Sequence, residues 1–167
     1  VVLESSQGFG GLETIYGFET GAGENADAIL VDVDDYSIGG VGGDAIQKVA
    51  TGETLAVSDD TGLVIFEGAM EDFEDADVVQ LINDSLTGMG EGDVLFVLSG
   101  DASGSSLAKV GFGADGDVAV RDSGTPDDES DDYADIDYIA DFVGLTGDAL
   151  SGFTADNFEL LRNQAEV

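Results

Sequence analysis

Thirty-seven carboxylates face only four cations in this chain of 167 residues, and the resulting formal net charge of −33 is a condition that any fold of it must meet. Self-repulsion of that size opposes compaction unless salt screens it or bound cations neutralise it. The cations are Lys48, Lys109, Arg121 and Arg162, scattered rather than clustered. Nucleic acid and anionic membrane surfaces are therefore excluded as partners, because phosphate recognition needs grouped Lys and Arg. Yet 43% of the residues are hydrophobic, too many for a disordered acidic tail. The expectation is one domain spanning residues 1–167.

The acids are mostly aspartates, and many stand beside Gly, Ser or another Asp in turn-like stretches. Short carboxylates in loops suit Ca²⁺, which takes six to eight hard oxygens from side chains and backbone carbonyls. With no Cys and no His, thiolate and imidazole ligands are absent, so metal chemistry reduces to oxygen donors and to Ca²⁺ or Mg²⁺. A halophile-type acidic surface accounts for the same composition without any specific ion. No run of eighteen apolar residues occurs, so membrane insertion by a helix is not expected. The chain begins at Val1 without a signal-like segment, as a processed or excised piece would.

Glycine recurs 25 times and proline once, at Pro126, which implies tight turns between short strands. Three apolar runs bounded by Gly or Asp read as buried strands: Ala28–Val31, Gly62–Phe66 and Val94–Leu98. Alternation at Ala108, Val110 and Phe112, and again at Val118 and Val120, predicts a hairpin around Gly113–Gly116 with one face buried and the other wet. A helix is expected from about Asp75 to Leu86, with Val78, Val79, Ile82 and Leu86 on one stripe, acids at its start and Gly88 past its end. Weaker helical turns are expected at Ala45–Ala50 and Asn157–Gln164. The fold class is mainly β, a β-sandwich or distorted β-roll, with one packed α-helix.

Candidate ligands follow from the spacing of the aspartates. The segment Asp122–Asp137 holds eight acids in sixteen positions and reads as a surface loop, with Asp131, Asp132, Asp135 and Asp137 as the preferred metal ligands. Alternating carboxylates also occur at Asp32 and Asp34, followed by Asp35, and at Asp115 and Asp117, none completing an EF-hand. Gly39-Gly40-Val41-Gly42-Gly43-Asp44-Ala45-Ile46-Gln47 fits one copy of the glycine-rich nonapeptide of calcium-binding β-rolls, with Asp44 supplying oxygens and Ile46 pointing inward.

Several longer segments carry a resemblance. Thr14-Ile15-Tyr16-Gly17-Phe18-Glu19-Thr20-Gly21-Ala22-Gly23 with Ala28-Ile29-Leu30, then Gly62–Gly68, Gly92–Val97, Phe142–Leu145 and Leu150–Phe158, follow one another as in RTX-type (hemolysin-type) calcium-binding exported proteins and bacterial surface-layer proteins. The tandem nonapeptide array of such proteins is missing, so the resemblance points to an accompanying β-domain. It implies export to the extracellular space or bacterial cell surface, Ca²⁺-linked folding, and a role in surface layers, filaments, matrices or adhesion. It implies no catalytic residue.

Without His, Cys or a basic cluster, Ser-His chemistry and phosphoryl transfer have no machinery here, and the chain is expected not to be an enzyme. The functional expectation is an extracellular structural or adhesive module that folds and self-assembles with Ca²⁺ in its Asp-rich loops. A homo-oligomer or polymer is the expected partner, with a cell-surface glycan as a further one. The alternatives are a halophile-type acidic domain and a carbohydrate-binding module, the latter short of Trp and Tyr for stacking. The N-terminal stretch Val1–Ile15, weakly charged, is a candidate for a strand exchanged between copies.

Overall fold

Two of the apolar runs become strands so thoroughly enclosed that the rest of the chain is arranged as their cover. The computed structural model describes residues 2–3, 13–24, 26–32, 43, 45–70, 75–121 and 133–161. In it, β6 (Thr61–Ala69) and β8 (Val94–Gly100) lie side by side and parallel, with Leu63 opposite Phe96 and Ile65 opposite Leu98. Every residue from Thr61 to Phe66 and from Leu95 to Gly100 is buried. Continuous β-branched and aromatic runs are what a strand covered on both faces requires.

These strands belong to a six-stranded mixed sheet in the order β2-β12-β9-β8-β6-β4, which adds β2 (Glu13–Tyr16), β4 (Ala45–Ala50), β9 (Gly104–Gly111) and β12 (Ile136–Val143). One face packs on a parallel three-stranded sheet, ordered β1-β3-β13, of β1 (Val2–Leu3), β3 (Ile29–Asp32) and β13 (Phe158–Leu161). Ile29, Val31, Phe158 and Leu160 meet Leu63, Ile65, Phe96 and Leu98 there. The opposite face is covered by α1 (Asp75–Ser85), the crossover between parallel β6 and β8. Its Val78 and Ile82 pack with Val64, Phe66, Val97 and Val110. Full burial of each side chain contributes roughly 1.5–3 kcal/mol. The fold is mainly β with one packed helix, as expected.

The short pair β5 (Leu55–Ala56) and β7 (Leu86–Thr87) flanks the helix on this side. The hairpin at Gly113–Gly116 is present, closed by the Phe112–Val118 bridge, with Gly116 at φ +87°. Val118 donates its N–H to Asn83 Oδ1 at 2.8 Å, which ties the hairpin to α1.

Three expectations need correction. The β9 strand is not wet on one face: it runs between β8 and β12, and Leu107 is as buried in one core as Val110 is in the other. Ala45–Ala50 is a strand, drawn into the sheet by parallel pairing with β6. Asn157 ends a 3-10 turn, Ala155–Asn157, and Phe158–Leu161 is β13, whose Phe158 and Leu160 alternate into the core. Of the stretch Val1–Ile15, Val2 and Leu3 pair with β3 within the chain, and the strand Glu13–Tyr16 pairs with β12.

A second 3-10 helix, Gly147–Gly152, caps the ends of β6 and β8 where their register shifts. Asp148 Oδ1 accepts the Ala69 N–H at 3.3 Å. A methyl group on Gly147 would stand 2.6 Å from the Gly68 carbonyl oxygen and 2.7 Å from that of Gly100, and both are fixed backbone atoms. Gly147→Ala is therefore expected to lower stability by roughly 1–3 kcal/mol, as overpacking does, measured by urea denaturation. An unchanged midpoint would show that the 3-10 helix is free to lift away.

Candidate functional site

Half of the chain's cations meet two of the proposed metal ligands at one corner of the six-stranded sheet. The corner begins with the antiparallel pair β10 (Val120–Arg121) and β11 (Tyr133–Ala134), joined in the register Arg121 to Tyr133. Three backbone hydrogen bonds then lock the base: Gly111 N–H to Asp135 O at 2.9 Å, Ala119 N–H to Gly111 O at 2.8 Å, and Asp135 N–H to Ala119 O at 2.7 Å. Gly111 carries no side chain because the Asp135 carboxylate lies where its Cβ would be. The last residues of Asp122–Asp137 are thus not loop: Tyr133–Ala134 and Ile136–Asp137 are strand.

Arg121 donates from Nη2 to Asp135 Oδ1, and from Nη2 and Nη1 to the two oxygens of Asp137 at 3.0 and 3.5 Å. Lys109, opposite Asp137 in the β9–β12 register, places Nζ 3.4 Å from Asp137 Oδ2. The guanidinium carbon lies 6.0 Å from the centre of the Tyr133 ring. Partial burial alone would lower the Arg121 pKa, but the hydrogen bond and charge of Asp137, joined by Asp135, outweigh it and hold the group above its ordinary value. Two cations and two carboxylates thus form a neutral network.

The remaining proposed ligands are dispersed or lie beyond description. Asp115 and Asp117 sit exposed on the hairpin turn, where Asp115 Oδ1 accepts the Asp117 N–H at 3.2 Å. Asp32 ends β3, and its backbone pairs with Leu161. Asp34, Asp44, Asp131 and Asp132 lie outside the described residues, as do Asp35 and most of the glycine-rich nonapeptide. Of that motif, Ile46 packs against the core as expected. Among the described residues, no three acidic side chains converge closely enough to hold a metal ion.

Other aspartates organise turns. Asp101 Oδ1 accepts the Ser103 N–H and hydroxyl, each at 2.7 Å, and the Gly104 N–H at 3.1 Å. Asp93 Oδ2 accepts the Gly90 N–H, and Asp27 Oδ2 the Glu19 N–H, both at 2.8 Å. The signal for these was present in Asp101-Ala-Ser-Gly104, an Asx-turn pattern. Thr154-Ala-Asp-Asn157 similarly forms a capping box. Its fully buried Asn157 binds the Gly21 N–H at 3.0 Å and the Asp27 carbonyl at 2.6 Å, fastening the loop before β3.

Compared with protein-family models, with curated proteins and with solved structures, the chain matches none.

Arg121→Gln is expected to lower stability by about 1 kcal/mol in 0.05 M NaCl, the scale of a partly exposed ion-pair network, with the deficit shrinking in 1 M NaCl. Equal urea midpoints at both salt concentrations would show that the network carries no stability.

Asp101 offers a test by pH. The Ser103 hydroxyl, then the Ser103 and Gly104 N–H groups, hold its pKa below the ordinary 3.8 against a weaker opposing effect of burial. A depressed folded-state pKa gives stability that is complete above the unfolded value and lost as pH falls through the folded one. The thermal advantage of wild type over Asp101→Asn should therefore be constant above about pH 5 and narrow below about pH 4. An advantage independent of pH would exclude a charged Asp101 from the turn.

Proposed function

We propose that the chain is an extracellular structural or adhesive module whose fold is completed by Ca²⁺ and which assembles with copies of itself. One observation carries the reading: each described cation is already engaged within the chain. Lys48 binds Glu67 at 3.8 Å and the Ser151 carbonyl at 2.9 Å, while Lys109 and Arg121 serve Asp135 and Asp137. The excess carboxylates must draw their counter-ions from the surroundings. Oxygen-only donors at short spacing favour Ca²⁺ among those ions, and the RTX-type resemblance points the same way. Assembly in this reading uses the outer edge of β2, where Tyr16 is 74% exposed beside its register partner Val143, 46% exposed. The reading assigns no catalytic residue.

A second reading, a halophile-type acidic domain, draws support from the turn aspartates. Asp27, Asp93, Asp101 and Asp115 accept hydrogen bonds from the backbone N–H groups of Glu19, Gly90, Gly104 and Asp117, a loop-ordering role that a carboxylate fills through protein partners.

Circular dichroism and light scattering in 0.15 M NaCl separate the two readings. Millimolar CaCl₂, and not MgCl₂, is expected to increase order and particle size, with half-effect near the ~10⁻⁴–10⁻³ M typical of extracellular sites, and excess chelator to reverse both. A chain already folded and monomeric, indifferent to Ca²⁺ and chelator, would establish the halophilic reading instead.

A further inference from the structure

The six-stranded sheet ends in β2 on one side and in β4 on the other, and among the described residues neither strand has an outward partner. The unpaired N–H and C=O groups of such edges accept another strand unless charge, proline or a bulge blocks it. Here little blocks it. The four residues of β2 and the six of β4 hold one acid, Glu13, and one cation, Lys48, in a chain with 37 acids. Neither strand contains proline. The β2–β12 register is regular throughout, and the one irregularity of β4 falls at its start, between Ala45 and Ile46.

The two edges match in direction and in register. Strand β12 is antiparallel to β9 and β9 to β8, so the two reversals cancel, and β2 and β4 run the same way. Register partners carry one row across the whole sheet: Glu13, Ala140, Leu107, Leu98, Ile65 and Lys48. Partners in one row share a face, so the lone acid of one edge and the lone cation of the other stand on the same face at the same level. Two residues from each charge, on that face, are Ile15 and Ile46, both only partly buried against the core shared with β3 and β13. The core on this face is incompletely covered at both edges.

A second copy displaced sideways by translation brings its β4 alongside β2 of the first, in parallel. In the register that continues the row, Glu13 meets Lys48, Thr14 meets Val49 and Ile15 meets Ala50, and no like charges oppose each other. The Lys48 ammonium has three hydrogens to donate, of which the Ser151 carbonyl takes one, and its side chain is 30% exposed. Pairing either edge with its own counterpart meets no opposite charge, since β2 offers only Glu13 and β4 only Lys48. We propose that copies of this chain join head to tail, the β2 edge of one pairing in parallel with the β4 edge of the next, so that one sheet continues through a polar filament. This joint rests on the assembly reading above and adds to it the partner surface and the polarity. It is heterologous, and repeated by translation it does not close.

The chain has no cysteine, which lets introduced ones report the joint. Full-length Glu13→Cys and Lys48→Cys, each verified by circular dichroism, are mixed and oxidised in 0.15 M NaCl with 5 mM CaCl₂, and again in 2 M NaCl without Ca²⁺, where screening alone lowers the repulsion. Paired positions on adjacent strands lie within disulfide reach, so the mixed dimer, identified by intact mass, is expected at about ten times either self-linked dimer. Light scattering supplies a second readout. Glu13→Lys should raise the protein concentration needed for growth about five-fold, although it lowers the net negative charge, because it sets two cations opposite each other. Glu24→Lys, the same charge change on an exposed turn, should not raise it. Glu13→Lys combined with Lys48→Glu should return it to within about two-fold of wild type. Glu13 is exposed, so the contrast of Glu13→Lys with Glu24→Lys keeps the test valid if a Lys48 variant unfolds. Growth that Glu13→Lys leaves unchanged, a mixed dimer no more abundant than random collision gives, or a closed dimer that does not grow would each overturn the edge pairing and leave assembly through another surface standing. A chain that stays monomeric in both solutions would overturn the assembly reading itself, and this joint with it.

Discussion

A sheet buried on both faces tolerates no net charge at its centre, and in this chain that constraint decides where the acids among the described residues stand. The inner strands β8 and β9 carry none. The others within the six-stranded sheet stand toward its edges or ends, and where one enters further a polar group meets it, as the Ser106 hydroxyl does for Asp141 in β12. Burial of an unpaired carboxylate costs several kcal/mol, more than most single contacts return. Among the described residues the other carboxylates stand in turns, on α1 and toward strand ends. Charge density at the rim is the necessary counterpart of a core that could belong to any ordinary β protein.

That segregation makes the few cations positional rather than protective. Four cations cannot screen thirty-seven acids, and the described ones do not spread themselves to try. Lys109 and Arg121 concentrate on Asp135 and Asp137, where β9, β10 and β12 meet and where like charges on the bend before β12 and on β12 itself would otherwise repel. The network costs little desolvation because its members remain partly exposed, and it fixes the register of a short β10–β11 stem that could not hold itself with two residue pairs.

Much of the fold was legible because the strongest signals were local. The continuous runs in β6 and β8 and the stripe Val78, Ile82, Leu86 needed no tertiary information. The failures came where pairing overrode local preference. Ala45-Ile-Gln-Lys-Val-Ala50 is rich in helix formers, yet one register with β6 makes it a strand. No local pattern announces that β3 pairs with β13 or β2 with β12, because both pairings join distant parts of the chain. The site shows the same division. Asp135 and Asp137 were visible as neighbours two residues apart, but Lys109, the partner of Asp137, follows from the β9–β12 register and was not.

The preference for aspartate over glutamate acquires two physical meanings. A carboxylate one methylene from the backbone can reach an N–H two or three residues onward, as Asp101 does to Ser103 and Gly104, and glutamate adds a torsion that loosens this closure. The same short reach suits a calcium ligand in a tight loop. The two uses compete for oxygens without excluding each other, because a carboxylate accepts several bonds and a turn commonly engages only one of its oxygens. Among the described residues Asp27, Asp93 and Asp115 each bind the backbone through a single oxygen. A carboxylate held in this way keeps its other oxygen in a nearly fixed position, so a cation reaching it would meet a ligand whose conformational entropy has already been lost.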